Sequence, residues 1–392
     1  MNYKRIAILG STGNIGKQAM EVIAESEQLS PCVIAGRNNL SLLAKQARAD
    51  GVEFVAVPGT GDPGELKDAL PRGVELLIGE EALSEAIVKA SPDMVLSAVV
   101  GSAGLRPALV ALKAGIELAI ANKEALVCGG EVIMPAAKET GAAIIPVDSE
   151  HCGIYQCLHS GTNDEVRKVY ITSSGGSLRE FDDETAAAAT VEQVLQHPNW
   201  NMGPKVTVDS ATLMNKALEI VEAHHLFQLP PESIEILIHP QSLVHAAIEF
   251  CDSSIMAQIA MPDMKLPIAY ALHYPDRPVT GIDRLNLATI GRLDFRKPEG
   301  RELRPLALAN EVIRRGDGGA AVMNAANEVV VRAFLDGSII FGDIIPAVEN
   351  VVDRWYTGKR ISSSEHGVTI DFLLSADRWA RAEASRVLER YE

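Results

Sequence analysis

Between Lys4 and Val147 the chain alternates short apolar runs with amphipathic stretches: RIAIL, IGKQAMEVIAE, PCVIA, LSLLAKQAR, FVAV, VELLI, ALSEAIVKA, MVLSAVV, ALVALKAG, ELAIA and AAIIPV. A strand that is apolar throughout must be covered on both faces. Strands joined through helices return to the same end of the sheet and so pair in parallel. The pattern therefore predicts a doubly wound, Rossmann-like parallel sheet over 1–148, in which MVLSAVV and ELAIAN read as the fourth and fifth strands.

After Asp148 the texture changes. VRKVYITSS, IEILIHP, LVHAAIEF and SIMAQIA read as strands around a helix-like TLMNKALEIVEAHHLF, which predicts an α+β domain over 149–275. A Pro-, Gly- and Asp-rich linker follows over 276–300. The remainder, 301–392, reads as a small α-helical bundle, in which Ile344, Val348, Val351 and Trp355 recur at three- and four-residue spacing as one buried helix face requires. With 392 residues, 47% of them hydrophobic, disorder is excluded. A net charge of −16 without any basic run argues against nucleic acid, and no uncharged run approaches the roughly 18 residues of a spanning helix. A first strand beginning a few residues after Met1 leaves no room for a leader. Five cysteines (Cys32, Cys128, Cys152, Cys157, Cys251) without paired zinc-type spacing suit free, packed thiols, with redox or metal chemistry at Cys152 and Cys157 the lesser reading. These features together predict a soluble, cytoplasmic protein.

Gly10, Gly13 and Gly16 in GSTGNIG follow the first strand and open a helix. A tight turn, close backbone approach to a pyrophosphate and close helix packing each need a position without Cβ. The spacing is G-x-x-G-x-x-G, which a purely structural glycine turn would also carry. Ser11, Thr12, Asn14 and Ile15 place amides and hydroxyls at a helix N-terminus, where the dipole favours phosphate. About twenty residues on, where an NAD site usually presents a carboxylate to the ribose, the chain has Arg37 and Asn38. A guanidinium and an amide can hold a 2′-phosphate, which favours NADP; a solvated strand-end arginine is the alternative. Gly101, Asn122, Lys123 and Glu124 fall at the carboxyl ends of later strands, where open parallel sheets bind ligands.

A second constellation lies downstream. Asp148 and Glu150 in PVDSE, one residue apart on an extended segment, would aim both carboxylates to one side, an arrangement that a hard divalent ion neutralises and that is otherwise a solvated turn. Ser210, Asn215, Lys216 and Glu219 in DSATLMNKALE read as a loop and helix start, with Lys216 and Glu219 one turn apart. They offer a phosphate cradle and a third carboxylate, or an ordinary Lys/Glu helical pair. Ser173, Ser174, Gly175 and Gly176 offer an anion loop or a plain turn. HPNWNMG carries His197, Trp200 and Met202 in a Pro/Gly-bounded loop; a tryptophan there, without apolar neighbours, reads as part of a lid over a bound ligand. His224 and His225 read as helix-surface residues, and His239 and His245 as packing residues.

Six motifs, GSTGNIG, LAIANKEALV, PVDSEHC, TSSGG, HPNWNMG and DSATLMNKALE, occur in this order, and with them the sequence resembles the 1-deoxy-D-xylulose 5-phosphate reductoisomerase family over essentially its whole length. The resemblance implies isomerisation and NADPH-dependent reduction of 1-deoxy-D-xylulose 5-phosphate to 2-C-methyl-D-erythritol 4-phosphate, on the non-mevalonate route to isoprenoids. It implies one Mg²⁺, Mn²⁺ or Co²⁺ on Asp148, Glu150 and Glu219. Ser149 and Glu150 would touch the substrate beside the metal, and Ser174, Ser210, Asn215 and Lys216 would hold its phosphate, with His197 capping the site. Lys123, Glu150 and His197 would be the catalytic groups, and Trp200 and Met202 would close over the substrate. The NADPH positions would be Gly10, Ser11, Thr12, Gly13, Asn14, Ile15, Gly36, Arg37, Asn38, Asn122, Lys123, Glu124 and Gly203. Asn14 and Arg37 stand where many members have Ser and Lys. A homodimer is implied too, for which LVHAAIEF and SIMAQIA could supply a sheet edge. Rival readings are an NADP-dependent homoserine or semialdehyde-type dehydrogenase, which would need no three-carboxylate ion, and a non-enzymatic NADP-sensing module.

Overall fold

Seven strands, β1 (Lys4–Leu9), β2 (Leu29–Ala35), β3 (Phe54–Val57), β4 (Glu75–Ile78), β5 (Met94–Ser97), β6 (Glu117–Ile120) and β7 (Ile144–Pro146), form one sheet in the order β4-β3-β2-β1-β5-β6-β7, and every pairing is parallel. This is the doubly wound arrangement expected. In this computed structural model residues 3–59, 63–200, 202–358 and 367–390 are described. Because Glu75–Ile78 pairs as an edge strand of its own, MVLS and ELAI are the fifth and sixth strands of the sheet rather than the fourth and fifth. Successive strands are added to one side of β1 as far as β4 and to its other side from β5 onward, so the carboxyl ends of β1 and β5 form the switch point of the sheet.

Burial follows the apolar runs. Ile6, Ile8, Met94, Leu96, Ala119 and Ile145 are fully buried and pack with Ile268, Ala271 and Leu272 of the helix Lys265–His273. Ile34, Leu43, Val55 and Leu66 form a second cluster around β2 and β3.

By contact density the chain divides into two units, one of Met1–Ala125, Val132–Cys152 and Asp263–Asp283, the other of Leu126–Glu131, Gly153–Pro262 and Arg284–Glu392. This grouping differs from the boundaries expected from sequence. The helix Lys265–His273 groups with the parallel sheet because its apolar face is used there, and the C-terminal helices group with the second sheet.

That second sheet has four strands, β8 (Val166–Ser173), β9 (Ile234–Ile238), β10 (Val244–Phe250) and β11 (Ile255–Ile259), in the order β11-β10-β8-β9. Only β8 and β9 run parallel. The stretch expected as one helix is two, Pro204–Thr212 and Met214–Phe227, broken at Leu213 with φ 63°. No residue of 276–300 is buried, and a short helix, Leu287–Ile290, forms inside this stretch. Among the described residues four α-helices follow, Leu303–Arg315, Gly319–Leu335, Ile344–Thr357 and Ile370–Leu388. Ile344, Val348, Val351 and Trp355 make the expected buried face, none more than 1% exposed. Among the described residues no helix is long and apolar enough to cross a membrane.

The glycine turn is fixed by close approaches. Gly10 has φ +91°, and a Cβ there would stand 2.4 Å from the Ala98 carbonyl oxygen beyond β5. A Cβ on Gly16 would stand 2.2 Å from the Gly10 carbonyl oxygen and 2.5 Å from Ser11 Cα, so the first helix packs directly on its own turn. Gly16→Ala should therefore lower stability by about 1–3 kcal/mol through overpacking, seen as a lower urea midpoint. Gly13→Ala, whose Cβ would meet the Gly10 carbonyl at 3.3 Å, should cost clearly less. Equal midpoints for the two variants would contradict this account.

Candidate functional site

The residues singled out from sequence fall into two groups, each within one unit. In the parallel-sheet unit the helix Asn14–Ala24 starts after Gly13 with no side-chain cap, so its first amides are offered to an anion. Gly36 lets the end of β2 close on the turn, since a Cβ there would stand 2.8 Å from Thr12 Oγ1. Arg37 and Asn38 are exposed at that strand end, and the next residue, Asn39, caps the helix Leu40–Gln46 by accepting the Leu42 N–H at 3.1 Å. The turn and the exposed cation fit a dinucleotide carrying a 2′-phosphate. Ser11 departs from expectation: it is fully buried, its hydroxyl donates to Gln46 Oε1 at 2.8 Å, and its amide donates to the Ala35 carbonyl, so it locks the turn instead of facing a phosphate.

Asn122 is also turned inward. It is 1% exposed, and its Nδ2 donates to the Gly101 carbonyl at 3.1 Å and to Glu124 Oε2 at 2.9 Å, tying the loops after β5 and β6 together. Lys123 opens the helix Lys123–Thr140, and its Nζ donates to Asp148 Oδ2 at 2.6 Å.

Asp148 and Glu150 are not on an extended segment. The helix Ser149–Leu158 begins immediately after Asp148, whose carbonyl accepts the Cys152 N–H at 2.8 Å, and Glu150 lies in its first turn. Chain reversal at a helix start, rather than strand alternation, brings a carboxylate oxygen of each within 4.8 Å of the other. The same helical spacing brings in His151, which the extended reading missed: fully buried, it donates from Nδ1 to Asp148 Oδ1 at 2.9 Å. Ser149 Oγ donates to Glu150 Oε2. Two carboxylates, one already drawing an ammonium, fit a hard divalent cation.

The second unit carries the other group. Ser210 lies in the helix Pro204–Thr212, not in a loop, and Asn215 and Lys216 open the next helix. Lys216 Nζ donates to Glu219 Oε2 at 2.6 Å, and Asn215 Nδ2 donates to Glu219 Oε1; Lys216 and Glu219 are both buried. Gly176, with φ +71°, lets the Ser174 loop close on this helix, because a Cβ there would stand 2.7 Å from the Ser210 carbonyl oxygen. Ser174 Oγ pairs with His197 Nε2 at 2.9 Å. His197 Nδ1 accepts the N–H of Asn199 at 3.2 Å and of Trp200 at 2.9 Å, so the neutral tautomer carries its hydrogen on Nε2 and donates it to Ser174. Burial, then the Arg179 and Lys216 charges, push His197 down to about 4. Arg179 was not anticipated; its Nη1 donates to the Ser174 carbonyl at 3.3 Å.

Trp200 is half-buried, edge-to-face with His245 at 6.4 Å between centroids. Met202 is half-buried, Gly203 caps the helix Pro204–Thr212, and Asn201 of the same loop lies outside the described residues. His224 and His225 are half-buried, not on the helix surface. His224 pairs with the Leu229 carbonyl at 2.7 Å, and the His225 ring lies on Gly130, where a Cβ would come within 2.2 Å of it. His239 packs as expected, fully buried and stacked on Phe295 at 4.6 Å. All five cysteines are unbridged and only Cys251 is exposed; burial pushes the Cys32 thiol up to about 11.

Fold and site together define a dinucleotide-dependent oxidoreductase with an acidic cluster in one unit and a cluster of Ser174, His197 and Lys216 in the other. Three family models match nearly the whole chain: 1-deoxy-D-xylulose 5-phosphate reductoisomerase over residues 6–130, and its two C-terminal domain families over 144–227 and 259–383. The chain belongs to the 1-deoxy-D-xylulose 5-phosphate reductoisomerase family. A reductoisomerase of that name from Nostoc punctiforme is 42% identical over 394 residues, covering 99% of this chain and 98% of the relative. One from Chloroherpeton thalassium is 43% identical, covering 94% and 95%. Among solved structures, the Zymomonas mobilis reductoisomerase in complex with NADPH matches with a TM-score of 0.90 at 38% identity, covering 99% and 100%. A DOX-P reductoisomerase in complex with NADPH, fosmidomycin and magnesium matches at 0.89 with 34% identity, covering 98% of both chains.

The neutral state of His197 is testable. A folded-state value near 4, below the ordinary 6.5, means that the fold favours the neutral ring. Its contribution to stability is complete above pH 6.5 and is lost as pH falls from 6.5 toward 4. In NMR titrations the His197 ring resonances should stay flat from pH 8 to 5.5; a midpoint near 6.5 would contradict the buried, cation-flanked setting.

Proposed function

We propose that this chain converts 1-deoxy-D-xylulose 5-phosphate into 2-C-methyl-D-erythritol 4-phosphate, consuming NADPH and requiring a divalent cation. The observation that carries the reading is the family match running through the whole chain, from 6–130 to 259–383. A semialdehyde-type dehydrogenase has no comparable support. NADPH oxidation that depends on this substrate and on added Mg²⁺ or Mn²⁺ is the test; no oxidation with either metal would refute the reading.

When bound, NADPH supplies the hydride and the cation the electrophile for carbon–carbon rearrangement. The chain's residues bind and orient. Asp148, Glu150 and Glu219 hold the cation, for which Mn²⁺ and Co²⁺ are alternatives to Mg²⁺. Support comes from the ammonium already drawn to Asp148 and to Glu219. Lys123 and Ser149 face the reacting end of the substrate, and Glu150 serves proton movement there. Ser174, Ser210, Asn215, Lys216 and His197 grip the phosphate, the end that does not react, so that its binding energy orients the rest. Trp200 and Met202 close over the bound substrate. Thr12, Gly13, Asn14, Ile15, Gly36, Arg37 and Asn38 cradle the adenosine diphosphate of NADPH, while Gly10, Ser11, Asn122 and Glu124 shape the rim and Gly203 approaches the nicotinamide end.

The enzyme works as a homodimer in the cytoplasm. Support for the dimer is the edge strand β11, where Ile255, Met256 and Ile259 are 58%, 43% and 37% exposed. Support for a reducing compartment is the absence of any bridged cysteine among the five.

Two substitutions probe the ligand assignments. Arg37→Asp replaces the cation at the end of β2 with an anion, so KM for NADPH should rise roughly 100-fold while KM for NADH falls or holds. Unchanged values for both cofactors would remove Arg37 from the site. Asp148→Asn and Glu219→Gln should each lower kcat on the order of 100-fold and raise the Mn²⁺ concentration needed for half-maximal rate. Normal rates at limiting Mn²⁺ in either variant would sink the three-carboxylate assignment.

A further inference from the structure

The turn His239–Ser242, between β9 and β10, is an anchor that the proposed chemistry does not use. His239 is fully buried and Ser242 is 8% exposed, with Ser242 held at φ 54°, a conformation costly for a residue with a side chain. On one side the turn is tied to the serine loop, since the His239 N–H donates to the Ser173 carbonyl at 2.7 Å. On the other side Asn199 spends both protons of its carboxamide on it, donating to the Pro240 carbonyl at 2.7 Å and to Ser242 Oγ at 2.8 Å.

Asn199 is also the residue whose backbone N–H, with that of Trp200, is accepted by His197 Nδ1. Those two amides fix the ring orientation and the tautomer, and through them the hydrogen bond from Nε2 to Ser174 Oγ. The side chain that clamps the loop and the amides that aim the imidazole thus belong to one short segment. The clamp lands on the same turn that steadies the strand leading into Ser174.

We propose that Asn199 is a positioning residue for the phosphate-gripping pair Ser174–His197, acting by clamping the His197 loop to the His239–Ser242 turn. The proposal rests on the reading of Ser174 and His197 as phosphate ligands. Asn199 touches no substrate. Its contribution is to pre-pay the ordering of the loop, so losing it weakens capture of the phosphate more than it slows the step that follows.

The test uses the full-length enzyme with Asn199→Ala, Ser242→Ala and His197→Gln. Asn199→Ala removes both clamp bonds without introducing charge near the anion site. It should raise KM for 1-deoxy-D-xylulose 5-phosphate roughly tenfold with kcat within about threefold of the parent. Ser242→Ala removes one acceptor, leaves the Pro240 bond and does not change the backbone strain, so it should give roughly a threefold rise. Both variants should also shift the His197 ring resonances in substrate-free protein, a change that a merely structural anchor, lowering Tm alone, would not produce.

His197→Gln separates two failures. If it leaves KM unchanged, the phosphate reading of His197 is wrong. If it raises KM while Asn199→Ala changes neither KM nor the His197 resonances, the clamp is wrong and the phosphate reading stands. Should Asn199→Ala fail to fold, Ser242→Ala decides: unchanged KM and unchanged His197 resonances overturn the proposal.

Discussion

Parallelism of the seven-stranded sheet is the constraint on which the rest of the first unit depends. Strands that all run the same way deliver their carboxyl ends to one rim, and there the chain must turn into a loop or a helix seven times. Gly10 follows β1, Gly36 and Arg37 follow β2, Gly101 follows β5 by a few residues, Asn122 and Lys123 follow β6, and Asp148 follows β7. Residues more than a hundred positions apart in sequence share an edge for this reason alone. Where β1 and β5 part, the approach is so close that only a residue without Cβ fits at Gly10, and the first helix is seated by the same means at Gly16.

Charge is then placed against that frame under a second constraint: a carboxylate taken out of water must be paired or hydrogen-bonded. Three carboxylates at or beside the site obey it twice over. Asp148 receives Lys123 and His151; Glu219 receives Lys216 and Asn215. Asp209, 1% exposed and next to Ser210, receives Lys205 at 2.8 Å and, from the helix Gly319–Leu335, Asn327 at 2.8 Å. Removing one partner from such a set leaves the other charge buried and uncompensated, so these groups hold one another in place before any ligand arrives. The side chains that would meet a cation or a phosphate are ordered by the protein's own counter-charges.

What was legible in the sequence follows from which interactions are local. The parallel sheet could be read because its strands are apolar throughout and its helices amphipathic, and the Lys216–Glu219 pair because helical spacing is a local property. The extended reading of Asp148 and Glu150 misses the helix Ser149–Leu158, although an Asp directly before it and a Glu in its first turn are themselves a local start signal. With the helix unseen, His151, one turn from Asp148, was unseen too. Ser11 shows the opposite error, since a serine in a glycine turn suggests an anion ligand, yet its hydroxyl is spent on Gln46, a partner 35 residues away that no local pattern reveals. Leu213 breaks a helix that periodicity runs straight through, because its left-handed backbone comes with no glycine to signal it. The clamp from Asn199 to Pro240 and Ser242 spans more than forty positions and leaves no periodic trace.

The pairing of Ser174 with His197 shows how such non-local ties give direction to a group that could otherwise point anywhere. A hydroxyl has one proton and two lone pairs. Ser174 Oγ accepts the Gly176 N–H at 3.1 Å, and it accepts His197 Nε2–H because Nδ1 is already committed to two backbone amides. With both lone pairs engaged, the serine proton can only be donated, and a hydroxyl offering nothing but a donor is suited to an anionic oxygen and poorly suited to a cation. Arg179 and Lys216 push in the same direction: their charges help to hold the imidazole neutral, which keeps Nδ1 an acceptor and so preserves the tautomer. The preference of this end of the site for an anion is therefore set by cations, by two amides and by a carboxamide that fixes where those amides lie.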